Sequence, residues 1–216
     1  MRLSKERILD FLEGVPPIDR PNRALEQYST PRDLAWNMIN LACVKGDISG
    51  KIVWDLGCGT GVLTFGVALM GAKVIALDID LHSLLVAKRI FRSCVSELPI
   101  QFIVSSVEFP AVKSIPNIRS TVIMNPPFGT RRKGIDIVFL KLAFRLGNVV
   151  YSFHKSNQPT RDLIRQIASE NGFNVDHLKE MTFPIPKMFE SHQREMFPVA
   201  VDLYRLIRLQ DSKCKF

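Results

Sequence analysis

Hydrophobic positions in this chain switch between two periods, and the switches mark out its elements. Residues 1–15, MRLSKERILDFLEGV, spread their charges at helical spacing and predict a short amphipathic helix. Prolines at 16, 17, 21 and 31 then rule out regular helix, because each fixes φ and removes a backbone donor. Thr30-Pro31 predicts a helix start, with Thr30 as N-cap and Pro31 at the first position, running to about Val44. Apolar runs at 51–56, 73–78, 100–104, 121–124 and 148–153 predict strands. Helical patterns fall between them at 61–70, 81–94, 135–146 and 159–171. Alternating strands and helices predict an α/β fold: a doubly wound, Rossmann-like, mostly parallel sheet. Two further strands, near 174–183 and 199–209, have no helix between them, so they predict an antiparallel pair at the C-terminal edge.

The 216 residues are 46% hydrophobic and 23% charged, which suits one ordinary core and argues against disorder. We expect one domain over residues 1–216, with residues 1–30 forming an N-terminal helix and a covering loop. No apolar run reaches the length of a membrane span, and the N-terminal stretch lacks the apolar core of a signal peptide. The expected location is cytoplasmic. Cys43, Cys58, Cys94 and Cys214 show no C-x-x-C spacing, and the four histidines do not cluster with them, so no metal site is expected.

Charge changes the picture along the chain. Lys plus Arg against Asp plus Glu counts 7 to 7 over residues 1–50, 5 to 5 over 51–110, and 17 to 9 over 111–216. The whole +8 excess therefore lies in the C-terminal half. Such an excess suits a polyanionic partner, although a generally basic protein would share it.

Candidate chemistry begins at Asp55-Leu-Gly-Cys-Gly-Thr-Gly61, between a strand and a helix. Glycines there let the backbone approach a ligand closely. The G-x-G-x-G spacing differs from the dinucleotide fingerprint, and no Lys-Ser/Thr follows to make a phosphate loop. Asp78 ends the next strand, where an acid can accept ribose hydroxyls. Together these resemble motifs I and II of class I methyltransferases. Asp80 is expected to cap the following helix, and Cys58 to pack rather than react.

Asn125-Pro-Pro-Phe128 directly follows the fourth strand, at the end where open α/β sheets place their sites. It is similar to the (Asp/Asn)-Pro-Pro-(Tyr/Phe) motif of amino-group methyltransferases. An exocyclic amine is a weak nucleophile because its lone pair is delocalised. The Asn125 side-chain oxygen and the Pro126 carbonyl can each accept one N–H, turning the lone pair towards a methyl donor. Pro126 and Pro127 stiffen the loop, and Phe128 offers a face for stacking an extruded base.

Five segments recur in one order in a known family: Leu25-Glu-Gln-Tyr-Ser-Thr30, Asp55–Gly61, Asn125-Pro-Pro-Phe-Gly-Thr130, Tyr151-Ser-Phe-His-Lys-Ser156 and Val201-Asp-Leu203. The chain resembles the methyltransferase-like-five family of ribosomal RNA adenine-N6 methyltransferases, over nearly its whole length. The resemblance implies S-adenosylmethionine as cofactor, adenine N6 in RNA as substrate, small-subunit rRNA as its source, and a small zinc-ribbon activator protein as partner. It implies cofactor contacts at Gln27, Tyr28 and Thr30 from the N-terminal loop, and at Asp55, Gly57, Gly59, Thr60, Gly61 and Val62 around the methionine end. Asp78 would serve the ribose, and Ser106 with Val107 the adenine. The family usually carries Asp where Ser106 stands, so a charged acceptor is lost there.

Asn125, Pro126, Pro127 and Phe128 would form the catalytic loop. Two basic segments, Arg131-Arg132-Lys133 and Lys187 to Arg194, are candidate RNA contacts or plain solvated surface. The first lies past the cofactor pocket in the chain, so it is expected not to touch that pocket. His154 and Lys155 would face the substrate, though a structural, hydrogen-bonded His154 fits the pattern equally well. Two other readings stand beside this one. A protein glutamine-amide methyltransferase would share the tetrapeptide, and a non-catalytic RNA-binding or assembly protein would share the fold.

Overall fold

The computed structural model describes residues 4–115, 118–186 and 196–209. Helix α1 spans Lys5–Glu13 and α2 Arg32–Val44. Then follow β1 Ile52–Leu56, α3 Val62–Leu69, β2 Lys73–Asp78, α4 Leu81–Cys94, β3 Ile100–Val104 and β4 Ser120–Met124. The chain continues through α5 Ile135–Leu146, β5 Val149–Lys155, α6 Gln158–Glu170, β6 Phe173–Pro186 and β7 Met196–Arg208. A single turn of 3₁₀ helix, Arg23–Leu25, interrupts the proline-rich stretch.

All seven strands form one sheet in the order β3-β2-β1-β4-β5-β7-β6. β1 to β5 run parallel, β7 is antiparallel to β5, and β6 is antiparallel to β7 at the edge. The chain order reverses between β1 and β4, so their carboxyl ends open the crevice in which doubly wound sheets bind ligands. The C-terminal pair is longer than its sequence pattern predicts, because the strand pairing continues past the prolines at 184, 186 and 198.

Strand side chains alternate between two cores. Val53 of β1 joins Ile8, Met38, Ile39 and Phe65 beneath α1, α2 and α3, with Leu84 and Ala87 of α4 alongside. Trp54 and Leu56 face the other way, onto Phe139, Leu140 and Phe144 of α5 and Ile164 of α6. This period-two division of one strand between two helical layers is what makes β1 read as a continuous apolar run.

Several predicted boundaries shift by a residue or two, and the start of α2 is the shift that bears on the site. α2 begins at Arg32 with Pro31 as its N-cap, and no side chain caps it. Thr30 is not the cap; its hydroxyl oxygen accepts from the side-chain amide of Asn125 instead. Asp80 does cap α4, accepting from the N–H groups of His82 and Ser83.

Candidate active site

The glycine loop after β1 folds back against β2, with the N–H groups of Gly57 and Cys58 donating to the Leu77 carbonyl at 2.8 and 3.0 Å. Gly57 has φ +71°, and a Cβ there would lie 3.0 Å from the Phe139 ring. Gly61, with φ +98°, starts α3, and its missing Cβ makes room for Phe65, 2.7 Å away. A side chain at either position would fill the cradle or strain the backbone.

Asp78 stands at the mouth of this cradle. Its two carboxylate oxygens accept from Gly59 N–H at 2.7 Å and Asp80 N–H at 2.8 Å. Each oxygen keeps a second lone pair for a ligand hydroxyl. Burial raises the Asp78 carboxyl above its usual range, although the backbone donors pull it down. Asp55 is fully buried deeper in the site, where Oδ2 accepts from the Thr64 hydroxyl at 2.5 Å. Burial pushes its carboxyl up to about 7, and the charge of Asp78 adds to the rise. Burial also raises the Cys58 thiol well above its ordinary value, which suits packing and not nucleophilic attack.

A cleft of about 900 Å³, its open mouth included, runs along these residues. Gly57, Gly59 and Asp78 form one wall, Gln27 and Tyr28 a second, Ser106 and Val107 a third, and Asn125 with Pro127 the end. A smaller pocket continues inward past Thr30, Asp55, Thr60 and Val62. Gly61 lines neither; its place is the helix start.

The covering loop is tied down at several points. Gln27 Nε2 donates to Asp80 at 3.0 Å, and its Oε1 accepts from Asn22 N–H at 2.7 Å. Its amide thus closes the loop across the cleft. The Tyr28 hydroxyl donates to the Pro126 carbonyl at 2.8 Å. Asn125 Nδ2 donates to Thr30 Oγ1 at 2.9 Å, which orients the amide and leaves Oδ1 turned away from Thr30. That Oδ1 is buried without a partner, as is Asp55 Oδ1; among the described residues only Trp54 Nε1 shares this condition. A buried acceptor without a donor is costly unless a ligand supplies one. Two of the three line this site.

Phe128 departs from the expectation of an open stacking face. It is 8% exposed, Tyr28 stacks on it at 5.1 Å, and Phe183 meets it edge-on at 5.7 Å. Of the two readings of His154, the geometry matches the structural one: the residue is 1% exposed and belongs to the interior. Its Nε2 lies 2.9 Å from Ser152 Oγ, its Nδ1 3.4 Å from Asp136 Oδ2, and its ring meets Tyr204 edge-on. Burial works against the Asp136 charge, yet His154 holds that carboxyl below its usual range. Lys155, one residue on, is half-buried at the end of β5.

Arg131, Arg132 and Lys133 are exposed, but they are not equivalent. Arg132 forms a two-pronged pair with Glu108 and lines the cleft. The expectation that the whole triplet avoids the cofactor pocket therefore fails at Arg132. The contact spans 24 residues of chain, and no local pattern announces it. Lys187 and Arg194 lie outside the described residues.

Several lining residues were not legible beforehand: Ile18, Glu26, Ser105, Glu108, Ile135 and Phe139. Ile135 and Phe139 sit four apart on α5, a helical spacing that signals a buried face but not which cavity it borders. Ser105 precedes the predicted Ser106-Val107 pair and accepts from Ala111 N–H, while Ser106 accepts from Glu108 N–H. Among the described residues no cluster could hold a metal ion, and no helix is long and apolar enough to cross a membrane.

The family model for the methyltransferase small domain matches residues 37–144. The rRNA N(6)-adenosine-methyltransferase Mettl5 of Drosophila melanogaster is 34% identical over 212 residues, covering 94% of this chain and 96% of its own. The METTL5 protein of Danio rerio, with the same description, is 35% identical over 90% of this chain and 94% of its own. Among solved structures, PH1948 from Pyrococcus horikoshii superposes with a TM-score of 0.84 at 34% identity, covering 96% of this chain and all of that one.

Proposed function

The chain belongs to the family of rRNA N6-adenosine methyltransferases represented by those relatives, and from that premise we propose how its own residues carry the reaction. It is an S-adenosylmethionine-dependent methyltransferase acting on adenine N6 in rRNA. The finer reading is that the whole chain works as one catalytic domain in the cytoplasm, on small-subunit rRNA, with residues 1–30 covering the cofactor.

The site fits the cofactor by its chemistry. Asp78 keeps lone pairs for ribose hydroxyls, Asp55 Oδ1 lacks a donor where a cationic ammonium would supply one, and the glycine cradle is free of side chains. Gln27 and Thr30 would cover it, joined by Tyr28 before RNA binds, with Gly57, Gly59, Thr60, Val62, Ser106 and Val107 as the remaining walls. Gly61 contributes the turn that opens α3. When bound, the cofactor supplies a methyl group on a sulfonium.

The observation that carries the reading is Asn125 Oδ1: buried, fixed in orientation by Thr30, and without a donor. An exocyclic N–H would satisfy it. The Pro126 carbonyl, which accepts from the Tyr28 hydroxyl in this structure, would take the second N–H. With both hydrogens held, the nitrogen lone pair points out of the base plane towards the methyl donor. The amine nitrogen would form the new C–N bond as the methyl–sulfur bond breaks, its electron pair staying on sulfur as a neutral thioether, and the amine proton made acidic by the transfer would then leave to solvent, so no base is needed before transfer. Pro127 keeps the loop stiff, and Phe128 backs the base. Lys155, Arg131 and Lys133 remain candidates for the phosphate backbone, as do Lys187 and Arg194.

A small zinc-ribbon activator is the second partner we propose. Its support is the open side of the sheet: β3 pairs only with β2 among the described residues, and its last residue, Val104, is 53% exposed. Leu81 and Leu85 of the neighbouring α4 are 55% and 54% exposed. An apolar, unpaired edge invites another chain. Size-exclusion chromatography of a co-expressed pair checks this.

The function is tested by mass spectrometry of rRNA nucleosides from cells with and without the gene, together with transfer from labelled cofactor in vitro. Loss of one N6-methyladenosine from small-subunit rRNA is expected. Label appearing on a protein glutamine, or nowhere, would overturn the reading.

A further inference from the structure

Residues 26–28 hold, with their own side chains, two positions that a target nucleotide needs. The Tyr28 ring lies on Phe128 with centroids 5.1 Å apart and planes at 26°. Its hydroxyl donates to the Pro126 carbonyl at 2.8 Å. Face and acceptor are the pair assigned above to the target adenine and its amine. Carbon atoms in contact lie about 3.5–4 Å apart, so a base inserted between two rings needs about 7–8 Å. The observed spacing leaves no room for one.

Glu26 fills a second position. Its backbone has φ 51° and is the sole non-glycine positive φ among the described residues. The carboxylate accepts from the N–H groups of Thr130, Arg131 and Arg132 at 3.0, 2.6 and 3.2 Å, and from the Thr130 hydroxyl at 2.6 Å. Successive N–H groups converging on one anion form a nest of the kind that binds phosphate. The nest opens two residues past Phe128, about one nucleotide's reach from the stacking face. Between the two, Gln27 anchors the strap to Asp80 and Asn22.

We propose that residues 26–28 are an internal stand-in for the target nucleotide: Tyr28 occupies the place of the base, Glu26 that of a phosphate, and RNA displaces both before adenine reaches Asn125. This rests on the methyltransferase reading above. The stand-in keeps the site closed and dry until an RNA offers both a base to stack and a phosphate to fill the nest. Single contacts, such as a free base or a bare phosphate, replace only half of what the strap already makes. Burial raises the Tyr28 hydroxyl well above its ordinary value, so it stays a neutral donor, as the amine is.

The test uses the full chain saturated with S-adenosylhomocysteine, so that purines cannot occupy the cofactor cleft. It is titrated with a short single-stranded RNA carrying one central 2-aminopurine, whose fluorescence falls on stacking. Tyr28→Ala is expected to bind about tenfold tighter than the unaltered protein, with deeper quenching, because one stack and one hydrogen bond no longer compete. Glu26→Gln, which removes the anion from the nest, is expected to bind about threefold tighter. Equal or weaker binding by Tyr28→Ala, in protein that still binds S-adenosylhomocysteine, overturns the proposal and makes Tyr28 a fixed wall. Hydrogen exchange in the unaltered protein decides the matter independently of any variant's folding. Displacement predicts faster exchange over residues 23–30 when RNA binds, and unchanged or slower exchange overturns it. Absence of methyl transfer to adenine would strike the function itself, whereas these two measurements strike only the stand-in.

Discussion

Near the amino ends of the parallel strands, charged groups answer one another completely; in the cleft past the carboxyl ends of β1 and β4, they do not. Arg205 is 9% exposed and donates to Asp47, to Asp176 and to the Tyr151 hydroxyl, at 2.9, 2.6 and 2.8 Å. Tyr151 in turn donates to Asp47 at 2.6 Å, and Lys45 lies 3.4 Å from Asp176. Across the sheet, Asn125 Oδ1 and Asp55 Oδ1 stay unpartnered, and a strap from the N-terminal loop closes the opening. Both regions are polar and largely buried. The first pairs its charges with one another and so holds β5, β7 and the α2–β1 connection together. The second keeps acceptors in reserve, which weakens the apo fold locally and favours whatever ligand supplies donors.

Asn125 is the residue at which the two regions differ most. Asn125→Ala should lower the methyl-transfer rate by roughly 10²–10³-fold, on the scale of losing one preorganised transition-state contact. The melting temperature should fall only slightly, since the lost oxygen had no partner and the one hydrogen bond that goes with it, from Nδ2 to Thr30, contributes about 1 kcal/mol. Steady-state kinetics beside calorimetry check both, and a large drop in stability would place Asn125 among the structural groups.

Arg205→Met should do the opposite. Removing one member of a largely buried charge network strands its carboxylates, at about 2–3 kcal/mol, or roughly 5–10 °C in melting temperature for a domain of this size. Cofactor affinity of the folded fraction should be unchanged. Thermal unfolding and isothermal titration separate the two effects.

Asp55 sharpens the contrast through pH. Its carboxyl is raised by burial to about 7, so the apo protein prefers it protonated. A raised carboxyl stabilises the fold fully below its unfolded value and loses that contribution as pH climbs towards 7. A cationic ligand favours the ionised form, so cofactor affinity should fall by up to about tenfold per unit as pH drops below 7. Binding should also release protons there. Titrations in buffers of differing ionisation enthalpy measure that release, and no proton release near pH 6 would remove Asp55 from the cofactor site.

The smallest effect expected is at the rim. Arg131→Ala with Lys133→Ala should flatten the salt dependence of RNA binding by one to two units of slope, about −0.7 to −0.9 per phosphate contact. Arg132→Ala should instead weaken cofactor binding, because its Glu108 pair borders the cleft. Equal behaviour of all three would return the triplet to plain surface.

Much of this molecule follows from local sequence. The period of apolar residues delimits α4, α5, β2 and β3 at their observed boundaries, because each element must bury one stripe or face. Asp80 is legible as a cap, since an aspartate before an apolar helical run satisfies free N–H groups within its own turn. The glycine loop and Asn125-Pro-Pro-Phe128 are legible because strand ends in this fold carry chemistry, and the residue types limit which chemistry. What only the tertiary structure decided are contacts between segments far apart in the chain. Thr30 orienting Asn125 spans 95 residues, Tyr28 reaching Pro126 spans 98, and Glu26 filling the 130–132 nest spans 104 or more. His154 fell inside, and Arg132 over the cleft, by the same route. Secondary structure is set by hydrogen bonds and burial within a few turns of chain. The state of a single polar atom is set by whichever distant donor the packed sheet brings within about 3 Å, and sequence spacing carries no measure of that distance.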